Sequence, residues 1–425
     1  MNSRKIYFII LTVVTAAAFF VEGPCWAQKK EPIKVGFPAP LSGSSAGWGE
    51  SMLQGTVLAV EELNAAGGIL GHPLELVKGD VEGQEPSTVI SVVRKLINRD
   101  KVNIMVTGAV NPSCVEYPIM QESKMPYLLF AYSQSHERIL KQNPGRYTYI
   151  HNCTTTYEDY KVQFADVVAM LEKTGKFKPI NRNLAVIKSQ NEYSIYCGDG
   201  LKETFKSRGW RVVIDETIPY GGRFTEFAPI LSKIRDFKAS VVLYTDHTSA
   251  NAASFLLDFI KDPTPSLVYL QATPSYPDFQ KIMQGRQEGV LWTYVEPLLG
   301  PKAKGYVERF QKRWGKRPDP YGVFNHDVMM IAGEAMKRSG NPFDREAVNN
   351  VLLSKDFSYK GIVGTYEFDL TLHMAKYGPG FIQFVTKQEV KGDPIKSYIL
   401  YPQEFKTGEF QLPPWYQAGL KKYGI

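Results

Sequence analysis

Two hydrophobic patterns alternate along this chain, and residues 33–71 contain both of them. Alternating apolar positions there predict a buried strand, marked by Ile33, Val35 and Phe37. Apolar residues at helical spacing follow and predict an amphipathic helix, marked by Leu53, Val57, Val60 and Leu63. Gly67 and Gly68 predict the end of this helix, because glycine adopts the left-handed C-cap conformation without strain.

The same alternation of strand and helix continues to about residue 271. Strands are predicted at residues 74–78, 102–107, 126–131, 147–151, 184–188, 211–215, 241–245 and 267–271. Helices are predicted between them at residues 86–99, 114–123, 157–174, 195–208, 225–236 and 250–261. Strict alternation predicts an α/β fold with parallel sheets, right-handed crossovers and helices on both faces. One sheet rarely takes so many units, so we expect two doubly wound lobes.

The last hundred residues are patterned differently. Another helix is predicted after residue 318, with an apolar stripe formed by Phe324, Val328, Ile331 and Ala335. From residue 366 onward the pattern favours meander strands, at residues 366–369, 381–386 and 397–401.

The chain begins with the features of a secretory signal peptide. Two positive charges at residues 2–5 precede a mostly apolar run at residues 6–21, and Cys25-Trp26-Ala27 supplies a cleavage site. A membrane anchor is the alternative, but the run is short for a span of about 20 residues. We therefore predict that residues 1–27 are removed, and that the mature protein is exported and starts near Gln28.

Composition excludes some classes of protein. The hydrophobic fraction of 44% and the charged fraction of 22% are ordinary for a globular protein. The net charge of +7 is not concentrated in any basic run, so nucleic-acid binding is not indicated. Cys114, Cys153 and Cys197 remain after the leader, and an odd number leaves at least one thiol unpaired. A bond between Cys114 and Cys153 is conceivable, but buried free thiols are our prediction.

No catalytic or cofactor motif is present in the sequence. It lacks a G-x-S-x-G elbow, a P-loop, a G-x-G-x-x-G turn after a strand and an H-E-x-x-H helix. None of the six histidines pairs with another at helical metal-binding spacing. His247 beside Asp246 is the one arrangement that suggests proton transfer, but we interpret the pair as polar residues that line a cleft. We predict no enzyme activity, no cofactor and no metal.

Loops at the ends of predicted strands are the candidate binding sites. Small residues at positions 41–49 let a ligand approach the backbone, and Trp48 offers a flat apolar wall. Residues 107–113 and 131–133 each join a buried strand to a helix. Free N–H groups in such loops can hold a carboxylate, aided by the positive end of the helix dipole.

Several short motifs give the chain a family resemblance. They are Pro40-Leu41-Ser42-Gly43, Trp48-Gly49 and residues 64–71, NAAGGILG. In this order after a leader they resemble the type I periplasmic solute-binding proteins of ABC transporters, in the branched-chain (hydrophobic) amino acid family. The resemblance implies two lobes joined by a three-crossover hinge, with the ligand between them. It also implies a division into residues 28–150 plus 273–355 and residues 151–272 plus 356–425.

The resemblance also implies which residues touch the ligand. By position, the carboxylate-binding role falls to Ala109, Asn111, Ala131 and Ser133. Tyr193 resembles the tyrosine of a loop that covers the ligand. The remaining candidate contacts are Trp48, Val110, Tyr132, Asp246 and Tyr276.

One position departs from the family pattern. Ala250 stands where amino-acid binders carry an acid that pairs with the ligand's ammonium group. An unpaired ammonium in a closed cleft costs several kcal/mol. Either Asp246 or Glu192 replaces that acid, or the ligand has no amino group. Aromatic residues at strand ends slightly favour the second option, and they are Trp48, Tyr132, Tyr193, Tyr244 and Tyr276.

The function implied is the capture of a small carboxylate, either a hydrophobic or branched-chain amino acid or an aromatic carboxylate. Closure of two lobes would present the loaded protein to a membrane permease and its ATPase. The alternative is a ligand sensor with the same fold that binds an amide, urea or a related small molecule.

Overall fold

A computed structural model describes residues 30–154, 157–220, 222–294, 301–376, 381–385, 397–401, 403 and 406–424. The predicted signal peptide, residues 1–27, lies outside them. Among the described residues, no helix is long and apolar enough to span a membrane.

The first sheet is built from the chain before residue 153. Its elements are β1 Ile33–Ala39, α1 Ala46–Ala65, β2 Leu74–Asp80, α2 Pro86–Asn98, β3 Ile104–Val106, α3 Tyr117–Glu122, β4 Tyr127–Leu129, α4 Ser133–Gln142 and β5 Ile150–Asn152. The five strands are all parallel and lie in the order β2-β1-β3-β4-β5. The apolar residues predicted to mark β1 are fully buried, as the pattern required.

The second sheet takes most of the following chain. Its elements are α5 Gln163–Lys173, β6 Asn183–Ser189, α6 Glu192–Ser207, β7 Arg211–Ile218, α7 Ala228–Asp236, β8 Val241–Tyr244, α8 Ser249–Lys261, β9 Leu267–Gln271, α9 Pro277–Met283 and β10 Leu291–Tyr294. Strands β7, β6, β8, β9 and β10 are parallel neighbours in that order.

The rest of the chain contributes to both lobes. It forms α10 Pro301–Trp314, α11 Pro320–Arg338, α12 Arg345–Leu352, β11 Tyr359–Lys360, β12 Thr365–Phe368, β13 Ala375–Lys376, β14 Phe381–Val385, β15 Ser397–Tyr401 and α13 Pro414–Tyr423. Strands β14 and β15 extend the second sheet in the antiparallel sense beyond β10. Strands β11, β12 and β13 form a separate antiparallel meander. The architecture confirms the predicted α/β class with two doubly wound parallel-sheet lobes.

Helices α1 and α11 pack backbone to backbone in the first lobe. A Cβ added at Gly55 would lie 1.8 Å from the carbonyl oxygen of Gly322, so the crossing requires glycine there. This packing corrects the stripe predicted for α1, in which Val60 is buried but Leu53, Val57 and Leu63 are only partly buried. Small residues such as Ala59 are buried instead, because α1 is covered on two sides, by the sheet and by α11. The stripe predicted for α11 is buried throughout.

Strand pairing corrects two of the predicted lobe boundaries. Residues 273–294 were expected in the N-terminal lobe, but β10 pairs with β9 in the second sheet, because α9 returns the chain to the same edge. Residues 356–376 were expected in the C-terminal lobe. They pack on the first lobe, where the Asp327 carboxylate accepts bonds from the amides of Ile362 (3.0 Å) and Val363 (2.9 Å). Residues 273–294 therefore belong to the second lobe, residues 301–376 to the first, and residues 381–385 and 397–401 to the second again.

All three described cysteines are free and buried, which confirms the prediction of unpaired thiols for Cys114, Cys153 and Cys197. Burial raises the pKa of each thiol, because a thiolate would lose its hydration.

Candidate ligand-binding site

The strand order places a switch point in each lobe. In the first sheet the order reverses between β1 and β3, and in the second it reverses between β6 and β8. At such a point, the connections that follow the two adjacent strands run to opposite faces of the sheet. A crevice therefore opens at the carboxyl ends of these strands. The candidate site is therefore bounded by the loops after β1, β3 and β4 of one lobe and after β6, β8 and β9 of the other.

The loop after β3 offers main-chain donors. Within the described part of the chain, the amide N–H groups of Ala109 and Ala131 donate to no acceptor, although both residues lie beside buried strands. Asn111 shapes this loop, since its Nδ2 donates to the Gln84 carbonyl (2.7 Å) and its Oδ1 accepts from the Ser113 amide (2.8 Å). The Val110 side chain is fully buried in the core beneath.

The loop after β4 has an unusual backbone. Tyr132 lies in the left-handed region, with φ 60° and ψ 40°, immediately before α4. That conformation is costly for an aromatic residue, and such strain clusters at binding sites. The Tyr132 hydroxyl accepts from Gln84 Nε2 at 2.8 Å, and burial raises its pKa. Ser133, the first residue of α4, is buried. The N-terminus of this helix therefore lies beside the amide of Ala131.

A row of aromatic rings runs from the first lobe to the second. The Trp48 ring lies 5.9 Å from that of Tyr321, and the Tyr276 ring stacks on Tyr321 at 6.1 Å. The hydroxyls of Tyr276 and Tyr321 are 3.4 Å apart. Phe130 meets Tyr321 edge-on at 6.2 Å. Tyr321 belongs to α11 and Tyr276 to the turn after β9, so this row bridges the lobes.

Sequence reasoning missed Tyr321 and Phe130. Phe130 directly precedes the Ala131 loop, and the strand-end position could have identified it. No local signal distinguishes Tyr321, because only packing of α11 against α1 brings it beside Trp48.

Tyr193 is held by the second lobe. Asn191 caps α6 by accepting from the amides of Tyr193 (3.0 Å) and Ser194 (3.4 Å). The Tyr193 hydroxyl accepts from Gln271 Nε2 at 2.6 Å. Its ring meets the His247 ring edge-on, with centroids 5.4 Å apart. Burial lowers the pKa of His247, and the Asp246 carboxylate only partly offsets this effect.

The Asp246 carboxylate is occupied by its own surroundings. One oxygen accepts from the amide (3.3 Å) and the hydroxyl (3.0 Å) of Thr248. The other accepts from the Tyr244 hydroxyl (3.3 Å) and Asn251 Nδ2 (3.2 Å). An ionised carboxylate has about four acceptor sites, and these four bonds use them. Asp246 is also fully buried, as is Tyr244, whose ring stacks on Phe255 in the core of this lobe.

Glu192 also has partners, and they lie across the crevice. Its carboxylate is 3.4 Å from the Arg138 guanidinium and 3.5 Å from the Ser135 hydroxyl, both on α4 of the first lobe. About half of each charged side chain in this ion pair is exposed, so the pair contributes little stability by itself.

Among the described residues, no cluster of three or more metal-ligating side chains occurs. The site as built can hold a small anion on main-chain amides and cover it with aromatic rings.

Comparison with known proteins agrees with this geometry. Residues 32–386 match the family described as "Periplasmic binding protein". An amino acid binding protein of Pseudomonas aeruginosa is 23% identical over 391 residues, which is 90% of this chain and 92% of that protein.

Two solved structures extend the comparison. A Silicibacter pomeroyi protein described as a branched-chain amino acid ABC transporter superposes with a TM-score of 0.81, at 24% identity, over 91% of this chain and 100% of that one. A solute-binding protein of an R. palustris ABC transporter, in complex with 4-hydroxybenzoate, gives a TM-score of 0.67 at 19% identity, over 90% of this chain and 98% of that one. The family match covers most of the sequence, and the chain therefore belongs to the periplasmic binding protein family, with the type I fold.

Proposed function

We propose that this protein is the periplasmic solute-binding component of an ABC uptake transporter and captures a small carboxylate between its lobes. The proposal rests on the main-chain N–H groups of Ala109 and Ala131, which have no acceptor among the described residues and lie next to the aromatic row that bridges the lobes. The amides suit a carboxylate, and the rings suit an apolar or flat body. A signal peptide at residues 1–27 would deliver the chain to the periplasm, where a permease and its ATPase would accept the ligand.

The acids around the crevice favour a ligand without an amino group. Asp246 accepts four hydrogen bonds, and Glu192 is paired with Arg138. Ala250 has no charge to offer. To pair with Asp246, an α-ammonium group would have to displace hydrogen bonds that this carboxylate already accepts, which costs free energy, and Glu192 offers only a half-exposed carboxylate. Of the two ligand classes, an aromatic carboxylate fits these residues better than leucine, isoleucine or valine. The relatives named above include both an amino acid binder and a 4-hydroxybenzoate complex.

The protein would capture its ligand because the bound ligand contacts both lobes. Each lobe supplies part of the contacts, so a ligand that touches both stabilises the closed arrangement relative to the open one. The stack of Tyr276 on Tyr321 and the pair of Glu192 with Arg138 already join the lobes. These contacts lower the cost of closure, and the ligand supplies the remainder.

Thermal-shift screening of the purified mature protein tests this proposal. The panel contains benzoate, 4-hydroxybenzoate, leucine, isoleucine, valine, benzamide and urea. A ligand present at 100 times its dissociation constant adds about 2.7 kcal/mol of stability, which is a clear rise in melting temperature. We expect the aromatic acids to raise it, and the branched-chain amino acids to do so less.

Outcomes of the screen separate the candidates. A response to leucine but not to benzoate would show that the argument from the occupied acids is wrong. A response only to benzamide or urea would refute carboxylate capture and favour the sensor alternative. Calorimetry with the responding compound then gives the affinity.

A further inference from the structure

Several buried polar atoms near the crevice have no partner. In the described parts of the second lobe, Ser189 Oγ, His247 Nδ1 and Thr273 Oγ1 are buried and form no hydrogen bond. Leaving a buried polar group unpaired is energetically costly, so each such atom calls for an explanation. All three residues come at or just beyond the carboxyl ends of the parallel strands β6, β8 and β9.

Strand register brings two of these residues to the same level. Tyr244 of β8 pairs with Leu270 of β9, and His247 and Thr273 each follow three residues later. Adjacent strands lie about 4.8 Å apart, so both side chains belong to one edge of the sheet. The His247 ring contacts Tyr193, whose hydroxyl is bonded to Gln271, two residues before Thr273. The unpartnered atoms therefore flank the aromatic residue predicted to cover the ligand.

The corresponding loops of the first lobe are different. The side chain of Thr107 donates to the Pro38 carbonyl, and both polar atoms of Asn111 are bonded, Nδ2 to the Gln84 carbonyl and Oδ1 to an amide of its own loop. This wall offers N–H donors: the main-chain amides of Ala109 and Ala131, and Gln134 Nε2 at the start of α4, which is buried and has no partner among the described residues. One wall thus presents fixed N–H donors, and the other presents a hydroxyl and an imidazole that can each donate or accept.

We propose that the ligand carries a second polar group at the end remote from its carboxylate, and that His247 and Thr273 hydrogen-bond to it. A ring hydroxyl or a side-chain amide has the required chemistry. This inference rests on the proposed capture of a carboxylate and narrows its substrate class. Purely apolar acids, such as benzoate and leucine, would leave the two atoms unpaired in the closed site. A pocket built to bond a hydroxyl discriminates strongly against the analogue that lacks it.

Matched pairs of probes test the inference by calorimetry. The pairs are benzoate and 4-hydroxybenzoate, phenylalanine and tyrosine, and leucine and asparagine. Within each pair the second compound adds a polar group remote from the carboxylate. In whichever pair binds, we expect the polar member to bind at least 10-fold more tightly.

Substitutions at Thr273 provide the matched controls. Thr273→Val keeps the shape and removes the hydroxyl, so the ratio of the two dissociation constants should fall to below about 3. Thr273→Ser keeps the hydroxyl and should preserve most of the ratio. Circular dichroism and melting temperature identify a variant that has failed to fold, and His247→Phe supplies an independent second test.

Each result is informative. If the apolar member binds as tightly as the polar one, water satisfies the two atoms and the inference is overturned, while carboxylate capture stands. A ratio that Thr273→Val and His247→Phe both leave unchanged overturns the assignment to these residues. If no member of any pair binds, carboxylate capture itself fails, and the inference falls with it.

Discussion

Glu116 is a buried carboxyl group whose replacement should stabilise the protein in a pH-dependent way. Its side chain is fully buried between the candidate loop after β3 and helix α3. One oxygen accepts from the Tyr127 hydroxyl at 3.1 Å, and the other has no partner among the described residues. Burial raises the pKa of Glu116 from 4.5 to about 7, although the bond from Tyr127 acts in the opposite direction. The Glu116→Gln variant keeps the shape and the acceptor but cannot ionise.

The sign and size of the effect follow from the raised pKa. A carboxyl with a raised folded-state pKa contributes its full stability below pH 4.5, and that stability is lost as the pH rises to 7. Each pKa unit corresponds to about 1.36 kcal/mol, so the ionisable side chain costs about 3 kcal/mol at pH 8 and about 1 kcal/mol at pH 5. Glu116→Gln should therefore raise the unfolding free energy by about these amounts.

Urea unfolding at pH 5, 6.5 and 8 measures the difference between Glu116→Gln and the wild type. Glu122→Gln, an exposed change at the end of the same helix, is the control and should show no such trend. If the Glu116→Gln gain is the same at all three pH values, the reasoning is wrong, because a packing effect does not titrate. A variant less stable than the wild type at pH 8 would contradict the buried charge itself.

Three further predictions concern the site and the core. Trp48→Ala should weaken binding of the responding ligand about 10-fold without unfolding the protein, whereas Trp48→Phe should retain most of the affinity; an unchanged affinity by calorimetry would remove Trp48 from the site. A thiol reagent should react with the native protein only after guanidinium is added, because burial shields Cys114, Cys153 and Cys197. Burial lowers the pKa of His136 to about 4 and of His151 to about 3, so stability is complete above pH 6.5 and is lost as the pH falls. Each histidine should cost about 2 kcal/mol between pH 6.5 and 5, and His151→Gln should reduce that slope in urea titrations; an unchanged slope would contradict this.

The hydrophobic pattern of the chain was enough to predict most of the local elements and the class of fold. The pattern at residues 33–37 predicts a buried strand and that at residues 324–335 a buried helical stripe, and both are confirmed. Their success has a physical basis, because the period of apolar residues reflects which face of an element is buried. The short motifs around Pro40 and residues 64–71 also sufficed to indicate the family.

The hydrophobic pattern could not predict which sheet each strand joins, or which polar groups already have hydrogen-bond partners. Strand β10 and the segment that contains β11, β12 and β13 lie in the lobes opposite to those expected, because strand pairing depends on contacts remote in sequence. Tyr321 reaches Trp48 only through the packing of α11 on α1. From the sequence, Asp246 is a candidate acid for pairing with a ligand. In the structure its carboxylate already accepts hydrogen bonds from Tyr244, Thr248 and Asn251. The spacing of apolar residues indicates which face of an element is buried. It does not indicate which distant group will form a hydrogen bond or ion pair with a buried charge.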